Sequence, residues 1–415
     1  MKIGFVGMTH LGINYLAATA EKNFNVIGFD ENKKKIKELK NHIINYNEPL
    51  LKKTIKKNKK KIKFSSNFAE IKKLDLIFIS LDLKTDNYGY ADTNLLVDLI
   101  NKTKKYVNST ANLIILSQVK PGFTRAINFY KNRLFYQVET LIFGQAISRA
   151  LKPERIIIGS SSNKISKKYI NFLKKFNCPI IKMNYESAEL TKISINIFLA
   201  SSVTMSNMLS RASKLVSADW SQIVPALRLD KRIGQYAYLK PGLGLSGGNI
   251  ERDLFSMKTI MKNDKNGLNL INSLIKNSKL MNKWAERLLM KKIKKNMTIG
   301  ILGLTYKDKT DSIKNSPAID LIKKIKNNKI LAYDPLIQIK KNNLNFTQTK
   351  NLRKVFTDSD ILIFMTDWQN IKRIKACMEN INLKKKIIID PYGLTKLFIK
   401  KNFKEYFTLG VKIEI

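Results

Sequence analysis

The chain opens on a short apolar strand that ends in glycine and runs into an amphipathic helix, and the same opening recurs late in the sequence. Met1-Lys-Ile-Gly-Phe-Val-Gly7 is the first instance and Met297-Thr-Ile-Gly-Ile-Leu-Gly303 the second. Further apolar runs follow the first at Val26–Asp30, Leu76–Ser80, Asn112–Ser117 and Arg155–Gly159. Others follow the second at Ile330–Asp334, Ile361–Met365 and Lys386–Asp390. Each is separated from the next by a helix-length mixture of polar and apolar residues. Parallel strands need such crossovers, so the rhythm predicts an α/β fold with two Rossmann-like, doubly wound parallel sheets. From about Ser187 to Ala218 the strand signal stops and one long helical run takes over. At 415 residues the chain is too long for one ordinary core. The expected domains are 1–185, a central helical domain over 186–290, and 291–415.

The first glycine turn, Gly7-Met-Thr-His-Leu-Gly12, has the spacing of a dinucleotide turn, and Asp30 ends the next strand. Gly7 makes the tight turn and Gly12 lets helix and strand approach. His10 and Leu11 lie on the helix N-terminus that receives pyrophosphate, and Asp30 bonds a ribose hydroxyl. Thr9 replaces the middle glycine, so its side chain crowds the phosphate unless its hydroxyl donates to it. An acid at Asp30 repels a 2′-phosphate and favours NAD over NADP, a preference tempered by Lys35 in the Lys33–Lys35 cluster.

A formal charge of +44 raises nucleic-acid binding as a function class. The lysines are scattered over the whole length, however, and the densest run, Lys56 to Lys63, reads as a solvated helix end and loop. No specific nucleic-acid partner is expected, while anionic small molecules are favoured. Cys178 and Cys377 are too few for a disulfide framework or a metal site, which points to a reducing compartment and no metal. The N-terminus has no room for a signal sequence, so the expected location is cytoplasmic. The apolar stretch Ile193 to Met205 is interrupted by serines and Asn196 and is too short to span a bilayer, so no membrane partner is expected.

The loop Pro241-Gly-Leu-Gly-Leu-Ser-Gly-Gly-Asn-Ile-Glu-Arg-Asp253 holds Gly242, Gly244, Gly247 and Gly248, a density that suggests close backbone approach to a ligand. It resembles the Gly-x-Gly-x-Gly-Gly-Ser-Cys-Phe-Pro-Lys-Asp loop of the UDP-glucose/GDP-mannose dehydrogenases, with Asn249 on the catalytic cysteine. Other segments are similar in order. They include Tyr46–Leu51, Thr85–Gly89 with Ala91-Asp92, Ser117–Thr124, Val138–Gly144 and Pro153–Gly159. The best match is Glu189-Leu-Thr-Lys192-Ile-Ser-Ile-Asn196-Ile-Phe-Leu-Ala200. Gly303–Lys307 through Ser316-Pro317, Tyr333–Pro335 and Thr366–Trp368 complete the series. The family's Gly-Thr-Pro is Asp82-Leu-Lys84 here, its polar Thr is Gln118, its second Glu is Phe143, and its Asp-Gly-Arg-Asn is Asp390–Gly393.

The resemblance implies NAD in the first domain and a UDP- or GDP-sugar bound through the last, with homodimerisation through the central helix. It adds Thr85, Ser117 and Gln118 to the cofactor contacts. Glu139, Lys192, Asn196 and Asp253 are the catalytic candidates, with Asn249 at the nucleophile's position. Glu139, Leu141, Lys192 and Asn196 also stand as substrate contacts. So do Tyr238, Gly242, Gly244, Gly247 and Lys307. The family oxidises a sugar alcohol twice, and the second step needs a thiol that Asn249 does not supply. The expected activity is therefore a two-electron NAD-dependent oxidation, or oxidation of a hydrated aldehyde without covalent capture. The alternative is a nucleotide-sugar binder that has lost turnover.

Overall fold

The computed structural model describes residues 1–83, 85–86, 91–162, 164–339, 344–379, 381–396 and 403–411. Of the family-like segments, Lys84 and the Asn87 to Gly89 part of the loop after the fourth strand lie outside the described residues. The chain forms two compact units, Met1–Ile195 and Asn196–Ile415.

The first unit is built on eight strands: β1 (Lys2–Val6), β2 (Asn25–Phe29), β3 (Ile62–Ser65), β4 (Leu76–Ile79), β5 (Asn112–Ile115), β6 (Leu134–Gln137), β7 (Ile156–Gly159) and β8 (Ile180–Met183). Their order in the sheet is β3-β2-β1-β4-β5-β6-β7-β8. The central strands are buried on both faces, which is why they read as continuous apolar runs rather than alternating ones. Ile3 and Phe5 of β1 pack on one face with Phe78 and Phe172, while Val6 packs on the other with Ile77 and Tyr136.

One pair departs from the expected all-parallel sheet, because β6 and β7 run antiparallel, with Tyr136 opposite Gly159. The chain between them carries only the six-residue helix Ala146–Leu151 and turns back rather than crossing over. The sequence reading also missed β3, β6 and β8. In β3 and β8 the apolar residues are too few and too mixed with lysine to form a run, and β8 is partly exposed throughout. The lysine-rich segment before β3 is the end of helix Leu51–Lys57 and a turn, as its composition suggested.

The second unit carries β9 (Thr298–Leu302), β10 (Lys329–Tyr333), β11 (Thr347–Gln348), β12 (Ile361–Phe364), β13 (Ile387–Ile389) and β14 (Glu405–Phe407). They form an all-parallel sheet in the order β11-β10-β9-β12-β13-β14. Its glycine turn repeats that of the first unit. Gly7 and Gly303 both sit at φ 97°. Each donates its N–H to the end of the neighbouring strand, Gly7 to Phe29 O and Gly303 to Tyr333 O, both at 2.8 Å. The next amide then bonds an aspartate, Met8 N to Asp30 Oδ2 at 3.0 Å and Leu304 N to Asp334 Oδ2 at 2.9 Å.

The long helix Tyr185–Leu215 matches the predicted helical run and crosses from the first unit into the second. At 31 residues, with an 18-residue window of mean hydropathy 1.2, it is long and apolar enough to cross a membrane by length and composition alone, a test that a core helix of a soluble protein also passes. Of the polar residues that break its apolar run, Asn196 donates to Asp253 Oδ2 and Ser202 to Phe198 O. Just beyond that run, Ser206 donates to Tyr238 O and Asn207 accepts from Gly242 N, both contacts within the second unit.

Candidate active site

In the first unit the site begins at the turn after β1. A Cβ on Gly12 would lie 2.1 Å from Gly7 O and 2.7 Å from Ser80 Oγ, so only glycine lets helix His10–Glu21 pack this closely on the strand ends. Asp30 is buried, with Oδ2 taking both the Met8 N–H and the Lys35 Nζ at 2.7 Å. Oδ1 accepts the Asn32 N–H at 3.0 Å, and after these three bonds a carboxylate still has a lone pair for a ribose hydroxyl. These residues fit an NAD adenosine end.

Thr9 does not. Its hydroxyl donates to Ser80 O and accepts the Asp82 N–H, each at 3.0 Å, so it is engaged within the protein, where the sequence left open both crowding of a phosphate and donation to it. His10 is the first helical residue and its Nε2 lies 2.9 Å from Glu48 Oε2. The buried Glu48 also accepts the amides of Gly144 and Ala146. Those contacts hold its carboxyl below the usual carboxylate range, although burial alone pushes it up. Phe143 lies over the His10 ring with centroids 4.3 Å apart.

Further along the same unit, Lys192 Nζ sits 2.7 Å from Glu139 Oε1, and both side chains are nearly buried. Glu139 is oriented by the Leu141 N–H on its other oxygen, at 2.9 Å. Leu141 thus contributes its backbone, while its side chain packs on the core. Ser117 is fully buried and donates to Ile79 O, so its hydroxyl serves the sheet; Gln118 follows it, half-buried. Thr85 bridges to Ala91 across the loop.

In the second unit, Asn196 donates from Nδ2 to Asp253 Oδ2 at 2.5 Å, and Arg252 Nε lies 3.2 Å from the other oxygen of this buried carboxylate. Asn249 is exposed and starts helix Asn249–Ile260. The left-handed residue is Gly248, at φ 99°, so Asn249 is not a positive-φ turn residue. The glycines of the loop also approach protein groups closely. A Cβ on Gly244 would meet Ser278 O at 2.5 Å, and one on Gly247 would meet the Tyr306 ring at 2.4 Å. Gly242 donates to Asn207 Oδ1 at 2.8 Å. Lys307 lies over the Tyr306 ring, and Tyr238 is half-exposed.

Residues 1–177 match the NAD binding domain of the UDP-glucose/GDP-mannose dehydrogenase family, residues 186–283 its central domain and residues 300–396 its UDP binding domain. The chain belongs to the UDP-glucose/GDP-mannose dehydrogenase family. It is 28% identical over 416 residues to the UDP-glucose 6-dehydrogenase TuaD of Bacillus subtilis, covering 95% of this chain and 90% of that protein. It is 28% identical over 437 residues to the UDP-glucose 6-dehydrogenase of Rickettsia bellii, covering 100% of both. Among solved structures, a UDP-glucose dehydrogenase from the archaeon Pyrobaculum islandicum shares the fold, with a TM-score of 0.85 at 20% identity over 98% of this chain and 96% of that one. The protein is an NAD-dependent oxidoreductase of this family, acting on CH–OH groups.

Within the family frame, the structure joins Glu139 to Lys192 and Asn196 to Asp253, pairings that sequence spacing alone did not give. Glu48 and Asp82 were missed as site residues. Each stood in a family-like segment, but only the fold shows that their carboxylates reach the first helix and the loop before helix Ala146–Leu151. Among the described residues no group of three or more His, Cys, Asp or Glu is arranged to hold a metal ion.

Proposed function

We propose that the protein oxidises the primary alcohol of a UDP-linked sugar by two electrons, releasing a carbonyl compound and one NADH. The UDP binding domain and the names of the relatives support the nucleotide; the missing thiol supports the electron count.

Bound NAD supplies the hydride acceptor. The proton of the reacting hydroxyl needs a second acceptor, and the developing oxyanion needs a cation. The Glu139–Lys192 pair offers both in one buried contact: the ammonium donates to the oxygen while the carboxylate beside it takes up the proton. Asn196 lies one helical turn from Lys192, and its amide is held by Asp253. That restraint keeps the remaining amide N–H and Oδ1 in a fixed direction for a sugar hydroxyl.

The observation that carries the electron count is Asn249. Capture of the aldehyde requires a group that is both nucleophile and leaving group, and a carboxamide is neither. Cys178 and Cys377 do not stand in for it. Neither lies on the loop 241–248 or the helix after it, and burial pushes both thiols up, away from the thiolate form. Two free cysteines also fit a cytoplasmic setting.

The proposed assembly is a homodimer through the long helix, supported by the exposed Phe198, Met205 and Leu209, which recur along one face of it. The domain bounds proposed from the sequence, 1–185, 186–290 and 291–415, keep the cofactor turn, the long helix and the second sheet apart.

Incubation with NAD and a panel of UDP- and GDP-sugars tests the reading. NADH release with a UDP-sugar is the expected result. Sugar-nucleotide binding without NADH release from any member of the panel would make the protein a binder instead.

A further inference from the structure

The first glycine turn departs from the dinucleotide pattern in Thr9, and the loop after β4 departs from the family in Asp82; the structure brings these two residues into contact. Thr9 Oγ1 donates to Ser80 O and accepts the N–H of Asp82, both at 3.0 Å. Held by its backbone in this way, Asp82 turns its carboxylate to the start of helix His10–Glu21, where Oδ2 accepts the Leu11 N–H at 2.9 Å.

That amide belongs to the first turn of the helix, whose N–H groups have no partner within the helix. It is also the part of the fold on which a dinucleotide places its pyrophosphate, drawn by those free N–H groups and the positive end of the helix dipole. The Leu11 N–H cannot serve Asp82 and a pyrophosphate oxygen at once. An arriving diphosphate therefore meets a carboxylate as well as an occupied donor.

We infer that Asp82, anchored by Thr9, is an internal competitor for the pyrophosphate of NAD and sets the cofactor affinity of the first domain. The inference rests on the cofactor reading of the Gly7 to Gly12 turn. NAD binds the fraction of molecules in which the carboxylate has left the helix, and its apparent affinity is lowered by that fraction. The Thr9 substitution and the Asp82 substitution then form one device rather than two separate losses. The hydroxyl that replaces the middle glycine is what aims the carboxylate.

Calorimetric titration with NAD of the unmodified protein, Asp82→Gly, Asp82→Asn and the control Asp98→Asn separates the possibilities. Asp98 is an exposed acid on helix Asn94–Lys104 and reports the effect of removing any one negative charge. The expected result is NAD binding about tenfold tighter or more in Asp82→Gly, which removes both charge and acceptor, and a smaller gain in Asp82→Asn, whose amide oxygen can still accept the Leu11 N–H, with Asp98→Asn unchanged. Asp82→Asn keeps the side chain's size and covers the case in which the glycine variant fails to fold; a gain in either variant supports the inference. Equal NAD affinity in all four proteins, or a gain in Asp98→Asn as large as in the Asp82 variants, would overturn it while leaving the cofactor reading intact. No NAD binding by any of the four would overturn both.

Discussion

At the scale of single residues, the chemistry rests on Lys192 and Glu139, two charges held 2.7 Å apart with little contact to water. Lys192→Ala removes the cation expected at the reacting oxygen and should lower turnover about a hundredfold or more. It also takes the ammonium away from a nearly buried carboxylate, which costs about 3 kcal/mol or more of stability. The double variant Lys192→Met/Glu139→Gln removes both charges, so denaturant melts should recover much of that stability while turnover stays low. Near-normal turnover in Lys192→Ala on the best substrate would rule out the oxyanion role. The sequence carried these residue types and the one-turn spacing of Lys192 and Asn196, but not their partners. A pairing across many residues of chain, such as Asn196 with Asp253, is set by tertiary packing that no local pattern encodes. Thr9 shows the converse, since its spacing pointed to a phosphate and the fold gave its hydroxyl to Ser80 and Asp82 instead.

At the scale of elements, two positions carry testable weight. Gly247 sits at φ 94° with the Tyr306 ring against the space a Cβ would fill. Gly247→Ala combines left-handed backbone strain with that clash and should destabilise the second unit by about 1–3 kcal/mol, read as a lower denaturant midpoint. The start of the long helix is tied down by Arg125, whose guanidinium forms a fork on Glu186 and holds that carboxyl down at about 2, against an ordinary value of 4.5. A folded-state value below the unfolded one contributes stability that is fully present above about 4.5 and is lost as pH falls towards about 2. The stability gap between the unmodified protein and Glu186→Gln should therefore be largest near neutrality and close across that acid window. A gap independent of pH would assign Glu186 a role other than its charge.

The elements themselves were unevenly legible. The central strands and the long helix stand out because burial on both faces, or an unbroken helical run, leaves a long apolar signature. The short strands β3 and β8 escaped because they lie at the sheet margins among lysines, where partial exposure relaxes the demand for apolar residues. The antiparallel step at β6–β7 depends on where the chain turns, which the strand sequences do not record.

At the scale of the whole molecule, the order of a glycine turn, a long helix and a second glycine turn was readable, and so was the family, because ordered short matches accumulate over the full length of the chain. The loss that separates this chain from the family pattern is also a single readable letter, Asn249. Its consequence is global, since it decides whether a sugar leaves as a carbonyl compound or as an acid. The ratio of NADH formed to sugar consumed, with the product mass recorded in the same reaction, tests that consequence most directly. With the best UDP-sugar the account predicts one NADH per sugar and a carbonyl product, undiminished by thiol-alkylating reagents. Two NADH per sugar with a uronic acid as product would contradict it.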